Sequence, residues 1–69
     1  MSKLPRKLRI FRAKSGKRNL EISEYTGASL QSIVNWASDV RCPKKIEKQY
    51  AIALLQLSNG YITLEDCGY

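Results

Sequence analysis

Between Ser29 and Asn35 the chain places four uncharged hydrogen-bonding side chains, Ser29, Gln31, Ser32 and Asn35, in seven positions that hold no acid or base. A carboxamide carries a donor and an acceptor side by side. Gln31 and Asn35 therefore each match the paired hydrogen-bonding edge that adenine shows in the DNA major groove, and the Ser29 and Ser32 hydroxyls suit a base or a phosphate. Without a ligand, the same four residues are the polar solvent face of a helix. Leu30 suits a thymine methyl or packing against its neighbours; Val34 suits a thymine methyl or simple helix filling. No Arg or Lys lies between positions 29 and 38. The commonest specific contact, Arg to guanine, is thus missing from this segment, which predicts an A·T-leaning half-site.

A second set of residues suits phosphate. Lys17, Arg18 and Asn19 precede and begin a predicted helix, whose terminal amides add to their attraction for an anion. Arg41, Lys44 and Lys45 follow the Ser29–Asn35 segment in a predicted loop. The charge around them is lopsided. Residues 1–18 hold eight bases and no acid, while residues 19–69 hold four bases and six acids, for a net charge of +6. Such a basic segment is an electrostatic footprint for nucleic acid, or else a solvated helix face. Lys3 and Arg6 suit a DNA backbone, a minor groove or a solvated arm. The Tyr25 hydroxyl also has the reach for a phosphate. A membrane surface is the weaker anionic partner, because Leu4, Leu8, Ile10 and Phe11 are the basic segment's apolar residues and the core needs them.

What is missing narrows the function. With no His, two separated Cys and six scattered acids among 69 residues, few groups are available for catalysis or metal binding. The reading is a protein that is not an enzyme and uses no metal or cofactor. Cys42 and Cys67 lack a metal-type spacing and are expected to be free thiols of a cytoplasmic protein. No apolar run approaches the roughly 20 residues of a membrane span. MSKLPRKLRIF has charge without a following apolar stretch, so no secretory signal is expected. At 43 % apolar the chain has enough for a globular core. Its length fits one domain, residues 1–69, with a thin core that burial in a dimer would help.

Periodicity places these residues on helices. Leu4, Leu8 and Phe11 share one face of a helix over about 4–14, with Pro5 in its first turn and Ser15-Gly16 at its stop. A second helix spans about 19–26, with Asn19 as its cap, Glu21 in the first turn and Leu20 and Ile22 as apolar contacts. Gly27 breaks it with a positive φ. The third starts after Ser29 as cap and ends near 37 or 38, with Leu30, Ile33, Trp36 and Ala37 on its inner face. Trp36 is read as core rather than as a base-stacking residue. After the loop 39–43, Ile46, Tyr50, Ala53, Leu54 and Leu57 predict a helix over about 43–58, ended by Asn59-Gly60. Ile52 and Leu55 fall outside its main stripe. Tyr61-Ile62 reads as extended, and Thr63 with Asp66 can cap a short turn over Leu64–Cys67.

Residues 19–38, NLEISEYTGASLQSIVNWAS, combine small Ser23, turn Gly27, apolar Ile33 and Trp36. That spacing suits two short helices crossing at about 90–120°. The stretch resembles the helix-turn-helix of phage Cro-type repressors and related bacterial regulators. The resemblance extends over about 8–69, through the Pro-led segment with Ile46-Glu47, Ser58-Asn59-Gly60 and Ile62-Thr63-Leu64-Glu65-Asp66. The family's usual Gln, Ala and Leu are here Asn19, Ser23 and Thr26. The resemblance implies an all-α domain of four to five helices with the lambda-repressor-like DNA-binding fold: a basic segment 1–18, a helix-turn-helix 19–38, and a C-terminal helix and tail 43–69. It also implies sequence-specific binding of operator DNA as a transcriptional regulator, usually as a homodimer on a near-palindromic site, with residues 29–38 in the major groove. Ile52, Leu55, Tyr61, Ile62 and Tyr69 are the expected dimer material. No small-molecule effector is expected. Two alternatives stay open: an architectural or recombination-directing DNA binder, and a protein-interaction module that holds a partner such as an antirepressor.

Overall fold

The computed structural model describes residues 3–69, and among them four helices and no strand: α1 (Leu4–Ser15), α2 (Asn19–Thr26), α3 (Leu30–Trp36) and α4 (Lys48–Leu57). α2 packs against α3 and α4, and α1 against α3. One cluster forms the core: Leu4 and Leu8 of α1, Ile22, Ala28, Ile33, Trp36, Ile46, Ala51, Leu54, Ile62 and Cys67. No helix among the described residues is long and apolar enough to cross a membrane.

α1 forms because its i, i+4 leucines meet the core while Arg6, Arg9 and Lys14 stay exposed: Leu4 and Leu8 are fully buried and Phe11 is half-buried. Because Leu4 and Pro5 are buried at its start, Arg6 belongs to a helix rather than to a mobile arm. The helix ends where Gly16 turns left-handed at φ 72° and donates its N–H to Arg12 O. That conformation costs an L-residue roughly 1–2 kcal/mol.

Two details of α2 differ from the sequence expectation. Its flanking residue is Arg18, not Asn19, because the Glu21 carboxylate reaches back to accept the Arg18 backbone N–H at 3.1 Å. Asn19 lies inside the first turn, and its Oδ1 is buried without a hydrogen-bond partner. Leu20 is 59 % exposed, which leaves α2's burial to Ile22.

The α2–α3 turn is built on Ser23, Thr26 and Gly27. Gly27 has φ 82° and donates to Ser23 O. The Ser23 hydroxyl donates to Ala28 O at 2.6 Å, and the Thr26 hydroxyl donates to Ile22 O at 2.8 Å while accepting the Ala28 N–H. Ser23 and Thr26 thus tie their side chains to the backbone on both sides of the turn. α3 begins as expected, with Ser29 Oγ accepting the Ser32 N–H at 3.2 Å.

The predicted helix over 43–58 is shortened at its start to Lys48–Leu57. The cause is the tail. The Ile46 N–H donates to Cys67 O at 3.2 Å, and the Tyr69 hydroxyl donates to Ile46 O at 2.7 Å. Both backbone groups of Ile46 are therefore taken outside any helix, and Glu47 flanks α4 with extended dihedrals. Ile46 still enters the core. The end of α4 matches expectation: Asn59 (φ 53°) and Gly60 (φ 84°) are left-handed, and the Gly60 N–H returns to Leu55 O. Thr63 and Asp66 also behave as expected, each accepting the other's backbone N–H. Ile62 differs, being fully buried and so no dimer surface.

Candidate nucleic-acid interface

α3 sits on the core through Ile33 and Trp36, and Trp36 meets Tyr50 with ring centroids 5.6 Å apart. That fixes which side faces out. Ser29, Gln31, Leu30 and Val34 are exposed, and Ser32 and Asn35 are half-buried at its edge. The exposed groups are ordered by one another. Gln31 Nε2 donates to Asn35 Oδ1 at 3.0 Å, and the Ser29 and Ser32 hydroxyls lie 2.9 Å apart. With one Gln31 proton engaged on Asn35, the pair still offers Gln31 Oε1, the second Gln31 proton and both Asn35 protons. All four predicted base-reading residues thus belong to α3 or its cap. Leu30 is 48 % and Val34 41 % exposed, so Leu30 is not packed inward as its place in the helical repeat suggested. The outer face therefore carries an apolar stripe (Leu30, Val34) beside an amide stripe (Gln31, Asn35).

The end of α3 is held by α1. Arg9 Nη1 donates to Ala37 O at 2.8 Å and pairs with Asp39 Oδ1 at 3.3 Å. A cation there also matches the negative end of the helix dipole. Beyond it, the Ser38 hydroxyl accepts the N–H groups of Val40 and Arg41, which shapes the loop that presents Arg41.

The predicted phosphate residues fall on two segments, Lys17–Asn19 at the start of α2 and Arg41, Lys44 and Lys45 between α3 and α4. Among the described residues none of these five bases is ion-paired. Two other bases of α1 have structural partners. Arg9 is one. Lys7 donates to Tyr61 O at 2.9 Å, pairs with Asp66 at 3.5 Å and lies 4.4 Å from the Tyr61 ring centroid. Burial raises the Asp66 carboxyl's pKa, but the hydrogen bonds from Thr63 and the Lys7 ammonium outweigh it and hold the value below the ordinary 3.8. Sequence reasoning also passed over Lys48, whose ammonium lies 5.7 Å from the Tyr69 ring centroid, beside that of Lys45 at 4.5 Å. The signal available was the i, i+3 spacing of Lys45 and Lys48.

Both cysteines are free. Burial first, then the neighbouring Asp66 and Cys42, push the Cys67 thiol up to about 11, and burial with Asp39 raises Cys42. Burial thus disfavours the thiolate form at both positions. An open cleft of about 650 Å³ lies between the start of α1, the α3–α4 loop and the tail, lined by Pro5, Asp39, Cys42, Lys44, Glu65 and Tyr69 among others. It contains none of the base-reading set. Compared with family models, curated proteins and solved structures, the chain matches none.

Proposed function

We propose that this chain is a sequence-specific double-stranded DNA-binding regulator of transcription, built on a helix-turn-helix formed by α2, the Gly27 turn and α3. It would act as a Cro-like repressor on a phage or prophage operator, without catalysis, metal or cofactor. The observation that carries the reading is the outer face of α3. A helix anchored by buried Ile33 and Trp36 presents Gln31 and Asn35 as a linked amide pair beside exposed Leu30 and Val34. This combination suits the adenine edges and thymine methyls of A·T pairs in a major groove. Five bases with no ion-pair partner among the described residues flank the helix pair in sequence, where contacts to the DNA backbone would set its register. A homodimer on an inverted repeat fits this role. Ile52 (41 % exposed), half-buried Leu55 and Tyr61, and exposed Tyr69 are the dimer candidates, now without Ile62.

The same apolar stripe gives a second reading some support. Leu30 and Val34, with Leu20 at 59 % and Val40 at 92 % exposure, are aliphatic groups of the kind a protein partner would cover. Fluorescence anisotropy with mixed-sequence duplex DNA at two salt concentrations separates the two. Binding that weakens steeply with salt supports the DNA reading; no binding at either salt supports the protein-interaction module.

A further inference from the structure

The segment between α3 and α4 is held in place by the last three residues. Besides the Cys67 and Tyr69 hydrogen bonds to Ile46, Gly68 lies flat against this segment. Its φ is 105°, and a Cβ there would run into Lys44 O and stand 2.8 Å from Lys45 Cα. The Tyr69 ring then lies beside two ammonium groups, Lys45 Nζ at 4.5 Å and Lys48 Nζ at 5.7 Å from its centroid. No carboxylate pairs with either lysine among the described residues. Each ammonium is drawn to the ring and keeps its full charge for an anion.

We propose that Tyr69 and Gly68 position Lys45 and Lys48 as a two-lysine contact to the DNA phosphate backbone, with Tyr69 acting as a positioning residue and Lys48 as an additional phosphate ligand. This rests on the DNA-binding reading above and adds to it a residue on α4 and a role for the tail. The ring gives the two lysines a common platform, while Gly68 and the Ile46 hydrogen bonds fix the backbone beneath them. The contact is independent of sequence, because a phosphate carries no base identity.

The test compares wild type, Lys48→Gln, Tyr69→Leu and Tyr69→Phe by anisotropy on one mixed-sequence duplex across a salt series, with melting temperatures measured alongside. Lys48→Gln should reduce the slope of log affinity against log salt by about 0.9, the value of one lost phosphate contact on duplex DNA. Tyr69→Leu should also lower the slope. Tyr69→Phe keeps the ring and should retain the wild-type slope even if its melting temperature falls through loss of the bond to Ile46. An unchanged slope in Lys48→Gln, or in a folded Tyr69→Leu, overturns the proposal while leaving the DNA-binding reading in place. Wild type that shows no salt-dependent binding overturns the reading itself, and the proposal with it.

Discussion

At the scale of single residues, the proposed roles separate into those that would distinguish bases and those that would not. Gln31→Ala removes one member of the linked amide pair and also frees Asn35 from its partner. Affinity for the preferred sequence should fall by roughly 1–3 kcal/mol, with specificity lost at one or two base pairs. Lys17→Ala should instead weaken all sequences alike and reduce the salt slope by about one unit. Binding to a panel of single-base operator variants tells the two patterns apart. Asp66 carries a different kind of prediction. Its pKa is held below the ordinary 3.8 by Thr63 and Lys7, so the charged form is favoured by folding. The resulting stability is complete above that ordinary value and is lost as pH falls through the lower folded value. Asp66→Ala, which leaves the Thr63 N–H without its acceptor, should cost roughly 1–3 kcal/mol at neutral pH. Its denaturation midpoint should then vary less with pH below about 4 than that of wild type.

At the scale of elements, the helices whose signals are local were legible in the sequence. α1, α2 and α3 carry leucine or isoleucine spacing, a capping serine and turn glycines within a few residues of one another, and their positions follow from those. The start of α4 was not legible in the same way. Pro43 and the stripe from Ile46 favour an early start, but the backbone of Ile46 is claimed by Cys67 and Tyr69, which lie over 20 residues further on. No local pattern reports a bond of that range. The same holds for the candidate site. Gln31 and Asn35 could be placed on one face from spacing alone. The exposure of Leu30 and the lysine pair at Tyr69 depend on how distant segments meet. The α2–α3 turn offers a test at this scale. A Cβ at Gly27 would meet no neighbour, so the effect of Gly27→Val comes from its φ of 82°. The strain should cost about 2 kcal/mol, or roughly 8–16 °C in Tm, as measured by circular dichroism. Trp36→Ala, by contrast, empties the core beneath α3 and should cost about 3–5 kcal/mol.

At the scale of the whole molecule, the proposed function implies one arrangement. The chain occupies about 26 × 22 × 21 Å, so a single copy spans one half-site at most. Two copies related by a two-fold axis would place their α3 helices one DNA turn, roughly 34 Å, apart. The central claim is that α3 reads sequence. The measurement that tests it most directly is selection from a randomised duplex library at two salt concentrations. The account predicts an enriched, A·T-leaning inverted repeat with half-sites about 10 bp apart, lost from the Gln31→Ala selection at one or two positions. Salt-sensitive binding that enriches no sequence, in wild type and variant alike, would contradict it.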